Sequence, residues 1–156
     1  MKTLKALAAL LGYPTPALID ALPDIAAVIA GEPLLGGEER ARLRTLVDEL
    51  AQADLYESEA RYVDLFDRGR ATSLHLFEHI HGDTRDRGQA MVDLGALYAR
   101  GGLVLAPNEL PDFLPAVLEY LSTRPLAEGR EMLGDCAHVL RAVGEALAAR
   151  ESRYSA

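Results

Sequence analysis

Apolar residues recur three and four positions apart along nearly the whole of this chain, and glycine or proline closes most of the runs. No stretch alternates in the strand manner, and β-branched residues and aromatics are few beside alanine and leucine, so the chain is restricted to packed helices. Lys2 to Leu11 is the first helix. Thr15 and Pro16 form an N-cap and N1 pair that opens a second, interrupted near Pro23 and stopped at Gly31. Gly36-Gly37 starts a third, with Leu43, Leu46, Val47 and Leu50 on one face. Asp54 and Glu57 make a capping-box-like start for a fourth, whose Leu55, Tyr62, Val63 and Phe66 line one face. Arg68-Gly69-Arg70 breaks it. Thr72 or Ser73 caps a short fifth helix ending at Gly82. A sixth runs from Thr84 to Arg100, burying Met91, Leu94, Leu97 and Tyr98. The seventh spans Pro111 to Ser122, with Pro115 in its first turn. The eighth follows Pro125 and carries Leu133, Cys136, Leu140, Val143 and Leu147 as a seam for another helix. The expectation is one all-α domain over residues 1–156, a globular helical bundle of about eight helices.

Length and charge bound what such a domain does. A chain of 156 residues buries roughly 70% of its unfolded surface, enough for a sizeable core. The net charge of −8 argues against a nucleic-acid partner, which needs a basic face, and suits a basic or amphipathic one. A single cysteine, Cys136, excludes an internal disulfide and suits a reducing compartment. Its place in the apolar seam reads as a small core residue, and His138 lies off that seam, at the surface. The N-terminus imitates a signal peptide, but its apolar run, Ala6 to Leu11, is shorter than the ~7–15 residues such a segment needs. No run approaches the ~18 apolar residues that span a membrane, so a cytoplasmic location without direct membrane insertion is expected.

Chemistry concentrates in residues 62–94. His75, His79 and His81 lie within seven residues, and Arg68, Arg70, Arg85 and Arg87 are balanced by Asp67, Glu78, Asp83 and Asp86. His75-Leu76-Phe77-Glu78-His79 matches the H-x-x-E-H pattern of inverted zinc peptidases, in which two histidines four apart hold a metal and the glutamate acts as base. A third ligand is not evident downstream; Glu109, Glu119 and Glu128 are the candidates. A small zinc-dependent hydrolase is therefore the alternative function. His81, next to Gly82, reads as a last-turn histidine facing the helix dipole.

The run from Asp67-Arg68-Gly69-Arg70 through His75-Leu76-Phe77-Glu78-His79 to Arg87-Gly88-Gln89-Ala90-Met91 closely resembles NarJ-type chaperones. These are assembly factors of respiratory nitrate reductase within the TorD-like family of molybdoenzyme chaperones. Asn108-Glu109-Leu110-Pro111-Asp112-Phe113-Leu114-Pro115, with Glu119-Tyr120-Leu121, is similar to the same family. Many TorD-like members carry a histidine after that aspartate; Phe113 stands there in this chain. The chain reaches Ala156 without a helix stop signal, whereas NarJ-type proteins generally continue, so a mobile C-terminal tail is expected to be lacking.

The resemblance implies a TorD-like helical fold and a non-catalytic role without a cofactor or metal of its own. It further implies binding of the N-terminal peptide of the nitrate reductase catalytic (alpha) subunit. The apoenzyme is held until molybdenum cofactor and an iron–sulfur cluster are inserted, before membrane assembly. Molybdenum cofactor biosynthesis proteins are the further partners it implies. An amphipathic helix in a groove needs apolar anchors and a charged rim. Three or four anchors at about 1.5–3 kcal/mol each give roughly 5–10 kcal/mol gross, against about 2–5 kcal/mol for ordering the peptide. The groove candidates are Tyr62, Phe66, Leu74, Phe77, Phe113 and Leu114, each also readable as core, Phe66 and Leu74 above all. The rim candidates are Arg70, Glu78, His79, Asp112 and Glu119, with pairing among themselves as the competing account.

Overall fold

The computed structural model describes residues 1–82 and 84–156; Asp83, one of the balancing carboxylates above, lies outside the described residues. Among the described residues there are nine α-helices: α1 (Lys2–Leu10), α2 (Pro16–Gly31), α3 (Gly37–Gln52), α4 (Leu55–Tyr62), α5 (Leu76–Ile80), α6 (Arg85–Arg100), α7 (Leu114–Ser122), α8 (Leu126–Asp135) and α9 (Ala137–Ala149). The all-α expectation holds.

The first helix organises the rest. Leu4 and Ala8 of α1 join Tyr62, Leu65, Phe66 and the buried faces of α7 and α9 in one cluster. Ala6 and Leu10, on its other face, join Leu18, Leu22, Ile25 and Ile29 of α2 and Leu43, Leu46, Val47 and Leu50 of α3 in a second. Leu7 and Tyr154 touch both clusters. Polar ties fix the entry of α1: the Met1 ammonium donates to the Ser122 carbonyl, and the Thr3 hydroxyl donates to Glu32.

Several expected boundaries move, each for a local reason. Pro23 does not interrupt α2, because it sits on the exposed side, where water can serve the carbonyl its ring leaves free, while Leu22, Ile25 and Ile29 hold the buried side. The helix after Asp54 does not simply run to Arg68. Beyond Tyr62 it widens into a π-turn, Val63–Asp67, in which the Arg68 N–H donates to the Val63 carbonyl. Thr72 caps no α-helix; it closes a 3-10 turn, Arg70–Thr72, its hydroxyl donating to the Leu65 carbonyl. The Ser73 hydroxyl accepts the His75 N–H rather than capping a helix, and α5 starts at Leu76.

The expected seventh helix starts three residues late, at Leu114, because Asp112 and Leu114 spend their backbone groups on residues 74–76. The expected eighth is two helices, split at Cys136, whose thiol donates to the Met132 and Leu133 carbonyls just after Gly134 loosens the turn. The split brings Val139 into the core beside Cys136, Val143 and Leu147, and leaves Leu133 and Leu140 half-buried. In α6 only Tyr98 is buried; Met91, Leu94 and Leu97 are intermediate. The residues after Arg150 are not helix interior. Glu151 turns left-handed at φ 55, the Ser152 N–H returns to the Leu147 carbonyl, and a 3-10 turn, Arg153–Ser155, packs Tyr154 against Phe66 with ring centroids 5.1 Å apart.

Candidate functional site: a groove between the first helix and the loop before the seventh

Segment 74–76 and segment 112–114 run antiparallel for one bridge. The Leu76 N–H donates to the Asp112 carbonyl at 3.0 Å and the Leu114 N–H to the Leu74 carbonyl at 2.8 Å, so His75 faces Phe113. Successive residues of an extended segment point to opposite sides. Leu74, Leu76, Asp112 and Leu114 accordingly go inward and are buried, while His75 and Phe113 go outward with ring centroids 5.3 Å apart.

Asp112 is fully buried and satisfied from both sides. One carboxylate oxygen accepts the Phe77 N–H at 3.0 Å and the other lies 3.2 Å from His75 Nδ1. It thereby caps α5, which lacks a side-chain cap of its own, from 35 residues away. Tyr98 adds a second tie, its hydroxyl donating to the Pro111 carbonyl at 2.8 Å. The hydrogen bond that His75 donates to Asp112 is the chief cause that raises the His75 pKa above the ordinary histidine value, against partial burial, which lowers it. Since the carboxylate only accepts, Nδ1 carries a proton and Nε2 is the nitrogen that titrates.

This staple holds one wall of a groove of about 710 Å3. The opposite wall is α1, with Lys5, Ala8 and Ala9; Tyr13 and Tyr62 close one end, and the loop at Ala106 to Leu110 forms the lip. Three carboxylates, Asp67, Glu109 and Glu119, line it against one ammonium, Lys5. A smaller hollow of about 340 Å3 adjoins it, sharing Asp67 and His75 and adding Phe66, Arg68, Arg70 and Glu78. Tyr62 is itself buried, donating to the Leu11 carbonyl at 2.8 Å, and burial pushes its phenol well above the usual range.

The sequence-predicted site residues divide accordingly. Tyr62, Phe113 and Glu119 line the large groove. Phe66, Arg70 and Glu78 border the smaller one, although Phe66 is 6% exposed and Glu78 faces Arg87 at 3.7 Å. Leu74 and Leu114 are core residues, sent inward by the bridge alternation rather than into the groove. Asp112 is not on the rim: it lies beneath the groove, where its charge is consumed by the His75 and Phe77 groups. Phe77 packs on the core and edge-on to His81 at 5.3 Å, and lines neither hollow. His79 is no rim residue either, since its Nε2–H donates to the Ser73 carbonyl at 2.9 Å.

Sequence reasoning missed Tyr13, Asp67 and His75 as lining residues. Asp67 and His75 stood in the dense segment, and Tyr13 stood in a Gly-Tyr-Pro turn read as punctuation alone.

The H-x-x-E-H pattern does not make a metal centre. His75 precedes α5 in extended conformation, so it does not share a helical face with His79. Among the described residues, no three His, Cys, Asp or Glu converge as metal ligands. Burial raises the pKa of the Cys136 thiol, which suits a core residue rather than a nucleophile.

Fold and groove together describe an all-helical scaffold with a groove lined mainly by apolar residues and by three carboxylates. Its family is settled by sequence comparison. The family model described as nitrate reductase delta subunit matches residues 32–156, and the chain belongs to that family. The resemblance to NarJ-type proteins is thereby borne out. The chain is 47% identical over 146 residues to the nitrate reductase molybdenum cofactor assembly chaperone NarJ of Escherichia coli strain K12, covering 94% of this chain and 62% of that protein. It is 41% identical over 156 residues to the probable assembly chaperone NarW of the same strain, covering 100% of this chain and 64% of that one. A probable NarJ of Bacillus subtilis strain 168 is 28% identical over 156 residues, covering 98% of this chain and 82% of it. The chain thus spans under two thirds of the length of its Escherichia coli relatives. No helix among the described residues is long and apolar enough to cross a membrane.

Proposed function

We propose that the chain is a non-catalytic, system-specific chaperone acting in the cytoplasm. It takes the N-terminal peptide of the nitrate reductase catalytic subunit as an amphipathic helix. It holds the apoenzyme in this way while molybdenum cofactor, delivered by its biosynthesis proteins, and an iron–sulfur cluster are inserted before membrane assembly. The observation that carries this reading is the groove of about 710 Å3, whose apolar lining suits helix anchors and whose three carboxylates against one ammonium suit a basic polar face. Family membership supports the choice of enzyme, since the similar Escherichia coli protein is named an assembly chaperone for it.

The test is calorimetric titration with the first ~20 residues of the cognate catalytic subunit, about 30 Å when helical. Binding near ~1 µM is expected, weakening as salt rises because the groove carboxylates Asp67 and Glu119 are exposed. A scrambled peptide of the same composition binding equally well would overturn the reading. His75, beside the groove, adds a proton-linked term. Its raised pKa means that, as pH falls, it gains charge earlier than an ordinary histidine does, which opposes a basic peptide.

A further inference from the structure

We propose that Tyr13, Tyr62 and Asp67 form a subsite for one cationic side chain, an arginine or a lysine, of the helix held in the groove. The inference rests on the peptide-binding reading above and adds the chemistry of one contact. Tyr13 is 47% exposed in the turn after α1, a position where a large aromatic ring contributes little to the core. It is not loose: its ring meets Tyr62 edge-to-face, with centroids 5.5 Å apart and planes at 79°. Tyr62 in turn is anchored by its hydrogen bond to the Leu11 carbonyl and by Phe66, whose ring centroid lies 4.7 Å away. The result is a rigid aromatic corner opening into the groove.

Asp67 supplies the charge. It ends the π-turn, is exposed, and is shared by both hollows, so it stands at their junction. Its carboxylate is near enough to the corner that its field, after burial, helps to raise both the Tyr13 and the Tyr62 phenols, and Glu59 acts on Tyr13 in the same sense. Both rings are therefore neutral near pH 7 and lie in a negative field. An aromatic face beside a carboxylate attracts a guanidinium or ammonium group through the ring quadrupole and the ion pair at once. An anionic side chain meets repulsion at the same place. Lys5, the one lysine in the groove, lies on the α1 wall and leaves the surplus of negative charge in place.

The experiment is a binding cycle between variants of the full chain and single-residue variants of the N-terminal peptide, each basic residue being replaced in turn by glutamine. Circular dichroism checks the fold of every variant. Asp67→Asn and Tyr13→Leu should each weaken binding of the parent peptide by about threefold to fivefold, the range of an exposed cation–π or ion-pair contact. Tyr13→Phe and Asp67→Glu should retain it. One peptide substitution, and only one, should remove the effect of both protein variants. A parent peptide that binds the unaltered chain tightly and binds Asp67→Asn and Tyr13→Leu equally well overturns the subsite and leaves the chaperone reading standing. A second probe separates the converse case. Arginine amide at millimolar concentration should shift the Tyr13 and Tyr62 ring resonances in the unaltered chain and not in Asp67→Asn. That result with no peptide binding keeps the subsite and removes the reductase peptide as its occupant; no ring shift removes the subsite.

Discussion

Asp112→Asn is the perturbation that most directly tests the staple beneath the groove. Asparagine keeps the shape, and its carbonyl can still accept the Phe77 N–H now bonded at 3.0 Å. Its amide then faces His75 Nδ1, which lies 3.2 Å from the carboxylate in the parent. At high pH a neutral His75 can present that nitrogen as an acceptor, so the amide finds a partner and the cost is small, about 0.5 kcal/mol. At low pH both ring nitrogens carry protons, and donor meets donor.

A hydrogen bond between two charged groups is then lost with no replacement, worth about 1.5–3 kcal/mol when buried. His75 is 32% exposed, so solvent screening favours the lower end. The sign follows from the His75 pKa, which is raised in the folded state. The contribution of the charged pair is complete below the unfolded value near ~6.5 and is lost as pH rises through the folded value. The difference between parent and variant in urea unfolding should therefore be about 1.5–2 kcal/mol at pH 5.5 and small at pH 9. For a chain of 156 residues the low-pH figure corresponds to roughly 3–8 °C in Tm. An equal loss at both pH values, or none at pH 5.5, would refute the assignment of Asp112 as the partner of a titrating His75.

Other outcomes separate groove from core. Phe113→Ala should weaken peptide binding by about 1–2 kcal/mol in calorimetry with the fold intact, because Phe113 lines the groove. Phe77→Ala, whose ring packs on the core, should instead lower Tm with affinity little changed. Gly82→Ala should cost about 1 kcal/mol in urea unfolding, since Gly82 holds φ +57 at the end of α5. Chelator should leave Tm unchanged, and metal analysis after gel filtration should find no stoichiometric zinc, because His75 and His79 share no helical face and no three potential ligands converge among the described residues.

The helical architecture was legible because its signals are local. The Thr15 cap on Leu18 N–H and the Asp54 cap on Tyr56 and Glu57 N–H lie within three residues of the groups they serve. The regular seam of α3 buries Leu43, Leu46, Val47 and Leu50, the residues its spacing indicates. The site was legible only as two segments, 62–94 and 108–121, with no sign of how they meet. The bridge at His75 and Phe113 joins residues 38 apart, and the cap on α5 comes from Asp112, so neither has a local signature. Reading 72–82 and 111–122 as helical from their start gave those residues the wrong periodicity. Helical periodicity leaves Leu74 and Leu114 readable as groove or core and puts Asp112 on the rim, whereas two-residue alternation sends all three inward. The π-turn that sets Asp67 at the junction of the hollows likewise follows from tertiary packing, not from propensity.

The chemical density of residues 62–94 follows from this arrangement, because one segment serves two purposes. Its inward residues, Leu74 and Leu76, belong to the core, and its backbone holds Asp112. Its outward residues, Asp67 and His75, face both hollows. Substitution within it therefore changes stability or recognition according to the side on which the residue lies, even for neighbours in sequence. Leu74→Ala should cost about 2–5 kcal/mol of folding free energy, as large-to-small changes in a packed core do. His75→Gln, one residue away, removes no apolar core and acts on the groove and on the Asp112 pair. Comparing the two in parallel urea unfolding and peptide titration tests the alternation itself. Leu74→Ala should shift the midpoint and leave the affinity of the folded fraction within about twofold, the small indirect effect expected of a residue that does not contact the ligand. An affinity loss in correctly folded Leu74→Ala as large as that in Phe113→Ala would mean that the segment presents its other side to the ligand, and that the groove described here is not the surface that binds.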